Sequence, residues 1–122
     1  MRFEHKVGRH TIILDSQFIG EDVLVTIYGG DEHHIGGISV AYPTRSHYRE
    51  ATTISLNSIT LPGHKDYVLA NELAEKISSA LDRVVTVVVG IHMDHATKEE
   101  IKMAVDTSHL LVDAFLSEHS SE

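Results

Sequence analysis

The sequence predicts an α/β (α+β) domain, a mainly antiparallel sheet flanked by two helices in the order β-β-β-β-α-β-α. Three observations carry this. The first half holds successive short runs rich in β-branched and aromatic residues, separated by turns with Gly or Pro, the pattern of a meander. The second half holds two stretches whose apolar residues recur at helical spacing. Between them lies Val84-Val-Thr-Val-Val-Val89. A continuously apolar, β-branched run of this kind marks a strand covered on both faces.

Each element follows from local chemistry. Residues 3–15 alternate loosely, and Thr11-Ile-Ile-Leu14 reads as strand. A turn region from Asp15 to Glu21 contains Gly20. Val23-Leu-Val-Thr-Ile-Tyr28 is the next strand, ended by Gly29-Gly30. His33-His34 then falls at a hairpin leading into a strand from Ile35 to Tyr42, where Gly36-Gly37 implies a bulge or a close backbone contact. A polar loop spans Pro43 to Arg49. Ala51 to Leu61 is the fourth strand, with Ile54 and Leu56 on one face and a phase shift expected at Asn57-Ser58. Pro62-Gly63 stops it. Leu69, Leu73, Ile77 and Ala80 or Leu81 mark a helix, and the apolar run returns the chain to the sheet through a helical crossover. Thr97-Lys-Glu-Glu100 has the form of a capping box. The helix it opens runs to about Leu116, with Ile101, Val105, Val112 and Phe115 on one stripe. The chain of 122 residues reads as one domain over 1–122, with 1–10 and 117–122 peripheral.

Composition narrows the function classes. The formal net charge is -8, which argues against general nucleic-acid binding. No apolar run approaches the roughly 20 residues of a membrane span. Met1-Arg-Phe-Glu-His5 lacks a signal peptide's apolar stretch. Cysteine is absent, so thiol catalysis and disulfides are excluded. These features give a cytoplasmic expectation, without membrane or nucleic acid as partner.

Histidine concentrates beside glycine in three stretches: Gly29-Gly-Asp-Glu-His-His-Ile-Gly-Gly37, Pro62-Gly-His-Lys-Asp66 and Gly90-Ile-His-Met-Asp-His95. The second joins a strand to a helix N-terminus, where free backbone N–H groups and the helix dipole attract anions. Gly63 allows close approach and Lys65 adds positive charge, so a phosphate or carboxylate suits the loop; a plain Pro-Gly turn is the alternative. His92 and Asp94 follow the most buried strand, one residue apart, and reach the same side if strand geometry continues. They can share a proton, bind a metal or contact a cofactor ring; alternatively Asp94 caps backbone N–H groups in a polar turn. Adjacent histidines on a strand point to opposite faces, so one of the His33-His34 pair enters a site, and His34 is the better placed. His-x-Asp-His also resembles the tail of a metallo-β-lactamase motif, but Gly90 stands where that motif begins with histidine. His5, His10, His47, His109 and His119 have no supporting pattern and read as surface residues.

Taken in order, Gly29-Gly…His34-Ile-Gly-Gly37, Leu61-Pro-Gly-His-Lys-Asp66 and Gly90-Ile-His-Met-Asp94…Thr97-Lys-Glu-Glu-Ile101 resemble the LpdD-like family of prenylated-flavin chaperones, from about residue 10 to 115. The resemblance implies a proteasome-assembly-chaperone-like fold, commonly dimeric. It implies binding of prenylated FMN, or of FMN itself, and maturation of a UbiD-type decarboxylase, with a flavin prenyltransferase as a further partner. It makes His34, Gly36, Gly63, His64, Lys65, Asp66, His92 and Asp94 the candidate cofactor site, without a catalytic residue or a metal ligand. The family pattern leads to a small or amide residue at position 95, where this chain has His95. Two rival readings remain: a small metal-dependent hydrolase or lyase using His34, His64, His92 and Asp94, and a protein-assembly chaperone without a cofactor.

Overall fold

Two-residue alternation in the first half of the chain becomes five strands, and the apolar run of the second half becomes a sixth. In a computed structural model that describes residues 1–45, 52–62 and 66–119, these are β1 (Arg2–Val7), β2 (His10–Ile19), β3 (Asp22–Gly30), β4 (Glu32–Arg45), β5 (Thr52–Thr60) and β6 (Val85–His92). Helix α1 (Asp66–Leu81) precedes β6, and α2 (Lys98–His119) follows it. The expected α+β class holds, with one strand more than expected. That strand, β1, alternates Arg2, Glu4 and Lys6 with Phe3 and Val7. It is a charged edge strand whose weak apolar signal is why it is hard to read in isolation.

The sheet order is β1-β2-β3-β6-β4-β5. All neighbouring pairs are antiparallel except β3 and β6. The crossover through α1 therefore inserts β6 between β3 and β4, two strands consecutive in sequence. The expected hairpin around His33-His34 is corrected accordingly: β3 and β4 do not pair. The β4–β5 register is unbroken from Gly37↔Thr60 to Arg45↔Thr52, so the phase shift expected at Asn57-Ser58 does not occur. Ile54 packs toward the core, whereas Ile59 lies on the opposite face and is 59% exposed.

Both helices cover one face. Val23, Val25 and Ile27 of β3, Val85, Val87 and Val89 of β6, and Ile12 and Leu14 of β2 are buried there against Leu73, Ile77, Val112 and Phe115. Each such side chain contributes roughly 1.5–3 kcal/mol relative to exposure. Polar groups in this layer are paired. Ser39 donates to the Asn71 side chain of α1, Ser78 to the Arg83 carbonyl at 2.7 Å, and Ser108 to the Ala104 carbonyl at 2.8 Å. The buried stripe of α2 is Ala104, Thr107, Ser108, Leu111, Val112 and Phe115. Ile101, expected on it, is 52% exposed; it shares the face of Ser108 and Phe115 but stands in the first turn of α2, ahead of the first buried residue, Ala104. Among the described residues, no helix is long and apolar enough to cross a membrane.

The capping box forms as its spelling suggests. The Glu100 N–H donates to Thr97 Oγ1 at 3.0 Å, and the Thr97 N–H donates to Glu100 Oε1 at 3.1 Å. The Thr97 backbone N–H, and after it the Thr97 side chain, hold the Glu100 carboxyl below its ordinary value of 4.5. A carboxyl lowered on folding stabilises the protein above that value, and the contribution is lost as pH falls through the folded value. Thr97→Ala is expected to cost about 1 kcal/mol at neutral pH. Urea titrations at pH 7 check this.

Candidate functional site

Because β6 separates β3 from β4, the chain leaving β3 at Gly30 must cross the end of β6 before starting β4 at Glu32. Strand neighbours lie about 4.8 Å apart, so the crossing covers about 10 Å. Asp31 anchors it. Its N–H donates to the His92 carbonyl at 2.6 Å, and its Oδ2 accepts the Asp94 N–H at 2.7 Å. The second bond favours the ionised form and, helped by His10 and Arg9, holds the Asp31 carboxyl below its ordinary value.

β4 then runs beside β6, with Glu32↔His92 and His33↔Ile91, breaks register, and resumes at Gly37↔Val89. Four residue steps on β4 thus face two on β6, a bulge with two extra residues. The bulge passes over Gly90, where an added Cβ would collide with the His34 carbonyl. On its other side, a Cβ on Gly36 would collide with the Asp66 carboxylate, and one on Gly37 with the Tyr67 backbone. Glycine at these places lets β6, the bulge and the start of α1 meet at backbone contact.

Two imidazole–carboxylate pairs sit at this junction. His34 Nε2 lies 3.4 Å from Asp66 Oδ2, with side chains only 20% and 15% exposed. His92 Nε2 lies 2.9 Å from Asp94 Oδ1, and this pair is open to solvent. The His34 and His92 rings are 6.3 Å apart and nearly perpendicular. Of the expected site residues, the fold brings together His34, Gly36, Asp66, His92 and Asp94. Gly36 supplies room for Asp66. Gly63, His64 and Lys65 lie outside the described residues, immediately before Asp66 in sequence. His95 is exposed, with φ at 53°. That left-handed region suits glycine and asparagine, which accounts for the amide expected at this position.

Beside the bulge, on the face away from the helices, is a cleft of about 400 Å³ lined by Leu24, Thr26, Tyr28, Val88 and residues 33–35. Its lining is chiefly apolar, and His33 and His34 stand at one end. The His33 ring contacts Tyr28 edge-on at 5.1 Å. The Tyr28 hydroxyl donates to Asp15 Oδ2 at 2.5 Å, and this bond to a carboxylate, aided by burial, raises its pKa.

Other histidines expected at the surface are not simply solvated. His10 is buried; its Nε2 accepts from Arg9 Nε at 3.3 Å and lies 3.8 Å from Asp31 Oδ2. His109 meets Glu72 at 3.2 Å. His119 packs on Phe115 and Phe18 at 4.7 and 4.9 Å between ring centres. Asp31 was not singled out from sequence either, although an acidic residue directly after Gly29-Gly30 was the available signal. Among the described residues, no three His, Asp or Glu side chains converge as a metal site.

Two of the comparisons with known proteins agree on one family. The model of the prenylated flavin chaperone LpdD-like domain matches residues 6–120. Protein LpdD of Lactiplantibacillus plantarum is 33% identical over 88 residues, which cover 72% of this chain and 62% of that relative. The matched region thus spans less than two thirds of the relative's length. A chain in the crystal structure of a chaperone complex for yeast 20S proteasome assembly superposes with a TM-score of 0.53 at 15% identity, over 99% of this chain and 95% of that chain. At that identity the likeness concerns the fold alone.

Asp31 gives the site a pH signature. Because folding lowers its pKa from 3.8, its ionic contribution is complete well above that value and disappears as pH falls through the lower folded value. Asp31→Asn should therefore lower the thermal midpoint at pH 7, with the gap from wild type closing as pH falls below 3.8 and through the folded value. Thermal melts across that range check it.

Proposed function

Because the chain belongs to the prenylated flavin chaperone LpdD-like family, we propose that it binds prenylated FMN and carries it as a maturation chaperone for a UbiD-type decarboxylase. A flavin prenyltransferase is the natural donor in this reading. The working species is a cytoplasmic homodimer. The observation that carries the proposal is an apolar cleft with His34, of one imidazole–carboxylate pair, at its end, and the His92 ring of the other pair 6.3 Å from it. Ligand sites commonly combine an apolar slot of roughly 300–1,000 Å³ with a few placed polar groups, and the cleft's volume falls in that range.

The residues fit the group. Leu24, Thr26 and Val88 offer a flat, uncharged floor for a fused ring and its prenyl extension. His34, held by Asp66, and His92, held by Asp94, present ring nitrogens to a polar edge. Each carboxylate fixes which imidazole nitrogen carries a proton, and so whether the histidine donates or accepts. The phosphate goes to Gly63, His64 and Lys65, which precede the N-terminus of α1, the place where backbone N–H groups and a lysine complement an anion. When bound, the cofactor brings an oxygen-sensitive reduced ring. The chain's part is to hold that ring, exclude air and water from it, and release it to the enzyme. No nucleophile with an adjacent base is needed for this task.

Two variant sets test the reading. Lys65→Ala should weaken prenylated FMN binding by roughly 1.5–3 kcal/mol, the worth of one charge-assisted hydrogen bond, seen as at least about a tenfold rise in Kd by titration. An unchanged Kd would remove Lys65 from the site. His92→Ala and Asp94→Asn should keep the wild-type far-ultraviolet circular dichroism, since both side chains are well exposed. Each should speed loss of the reduced-flavin absorbance in air. If the pair acts as a unit, the double variant should be no worse than the worse single. Wild-type decay in all three would contradict the assignment.

A further inference from the structure

Charge in this chain is unevenly placed. The net charge is -8, yet residues 1–10 carry Arg2, Lys6 and Arg9 against the single acid Glu4, an excess of two positive charges. Strand alternation puts Arg2, Glu4 and Lys6 of β1 on one side, and register sets Glu4 and Lys6 beside Ile13 and Thr11 of β2. Next to these rows lies a pocket of about 540 Å³ whose lining includes Arg2, Glu4, Arg9, His10, Asp31 and His33. The flavin contacts leave this pocket unused. His33 lines both it and the apolar cleft, so the His33 ring, edge-on against Tyr28, stands between the two.

One cation of the pocket is held in place by a buried group. The His10 side chain is only 5% exposed, and its Nε2 accepts a hydrogen bond from Arg9 Nε at 3.3 Å. A buried ring thus braces a guanidinium that is itself 70% exposed. The bond takes one of the five N–H donors of the guanidinium. Among the described residues the nearest carboxylate oxygen to Arg9 is Asp31 Oδ2, at 3.9 Å from Nη2, beyond hydrogen-bond length. The acids of the neighbourhood have other partners. Asp31 Oδ2 accepts the Asp94 N–H at 2.7 Å, and Glu4 Oε1 accepts from Arg2 Nε at 2.9 Å. Glu100, which feels the charges of Arg9 and His10, accepts the Thr97 N–H at 3.1 Å.

We propose that this pocket is an anion site that takes a phosphate group on the Arg9 guanidinium, with Arg2 and Lys6 adding positive field and His10 acting as a positioning residue. Phosphate suits the arrangement better than a carboxylate. A guanidinium meets two of its oxygens with parallel N–H···O bonds and leaves a third oxygen for another cation. The field selects the place as well. An acidic molecule repels anions over most of its surface, so a local excess of positive charge is where one is drawn in. Glu4 and Asp31 oppose the anion and keep its binding weak and reversible. Two sources share this chemistry: a small phosphate ester separate from the flavin, and the flavin's own phosphate reaching past His33. The site itself does not depend on the flavin reading.

Inorganic phosphate is the probe, titrated into flavin-free protein at fixed neutral pH and constant ionic strength. The imidazole C–H signals of His10 and His33 are followed by NMR. Phosphate should shift both saturably, and chloride at the same ionic strength should not. Arg9→Gln should raise the phosphate Kd at least about tenfold, the loss of a charge-assisted contact. Glu4→Gln removes a like charge and frees Arg2, so it should tighten phosphate about twofold or more. Both side chains are more than half exposed, so both variants fold, and a gain of affinity is an effect that a merely structural role for Glu4 would not give. Lys65→Ala should leave the titration unchanged. A response that does not saturate, an equal response to chloride, or a wild-type Kd in Arg9→Gln would overturn the site. Loss of the shifts in Lys65→Ala would overturn it in favour of the start of α1. Prenylated FMN added without air then separates the sources. Competition with phosphate identifies the flavin's own phosphate as the occupant, and an unchanged phosphate Kd in flavin-saturated protein identifies a separate ester; both uphold the site. Phosphate bound at His10 by a protein that takes up no flavin would uphold the site and overturn the functional reading alone.

Discussion

Insertion of β6 between β3 and β4 forces a chain with only Asp31 between the two strand ends to cross a third strand end, and the candidate site is the consequence. Asp31 can hold the crossing because its backbone and side chain both bond to the 92–94 segment. The same crossing leaves β4 out of step with β6, so two extra residues rise as a bulge over Gly90. The bulge carries His34 toward the first residue of α1, and the bonded 92–94 segment carries His92 and Asp94 to the same end. A Cβ at position 90, 36 or 37 would push these layers apart. The candidate site thus sits where the topology leaves backbone to satisfy and little room to do it.

The two imidazole–carboxylate pairs differ in ways that suit different tasks. His34 and Asp66 are sheltered and positioned by glycine contacts, so their geometry is set by the fold. His92 and Asp94 stand in solvent, and their 2.9 Å hydrogen bond is held mainly by the Asp31 anchor beneath it. A ligand in the adjoining cleft meets a rigid group on one side and an adjustable one on the other. That asymmetry suits a carrier, which must hold a reactive ring and later give it up, and it asks for no bond-making residue.

Much of this was legible in the sequence, and the gaps have physical causes. Helices, capping box and crossover were readable because periodicity and cap chemistry are local. Gly36-Gly37 announced the bulge, and among the described residues the 29–37 and 90–95 stretches meet Asp66 at one end of the sheet. Pairing was less legible: β3 and β4 look like a hairpin because nothing local reveals that a strand 55 residues later separates them. β1 was missed because its charged side chains serve a sheet edge, where burial is slight. The phase shift expected at Asn57-Ser58 does not occur: the strand stays in phase with β4, and Ile59 simply lies on the outward face. His10 reads as surface on spacing alone, since its surroundings include Asp31, which arrives from another strand end.

The central claim is that this chain carries a prenylated flavin, and the most direct measurement is the identity of what it carries. Anaerobic co-expression with a flavin prenyltransferase, purification without air, and mass spectrometry of the ligand released on denaturation would decide it. The account predicts prenylated FMN in near-equal amount to protein chains. Protein purified from those cells without flavin, or with unmodified FMN no more abundant than on an unrelated protein of similar charge, would contradict it.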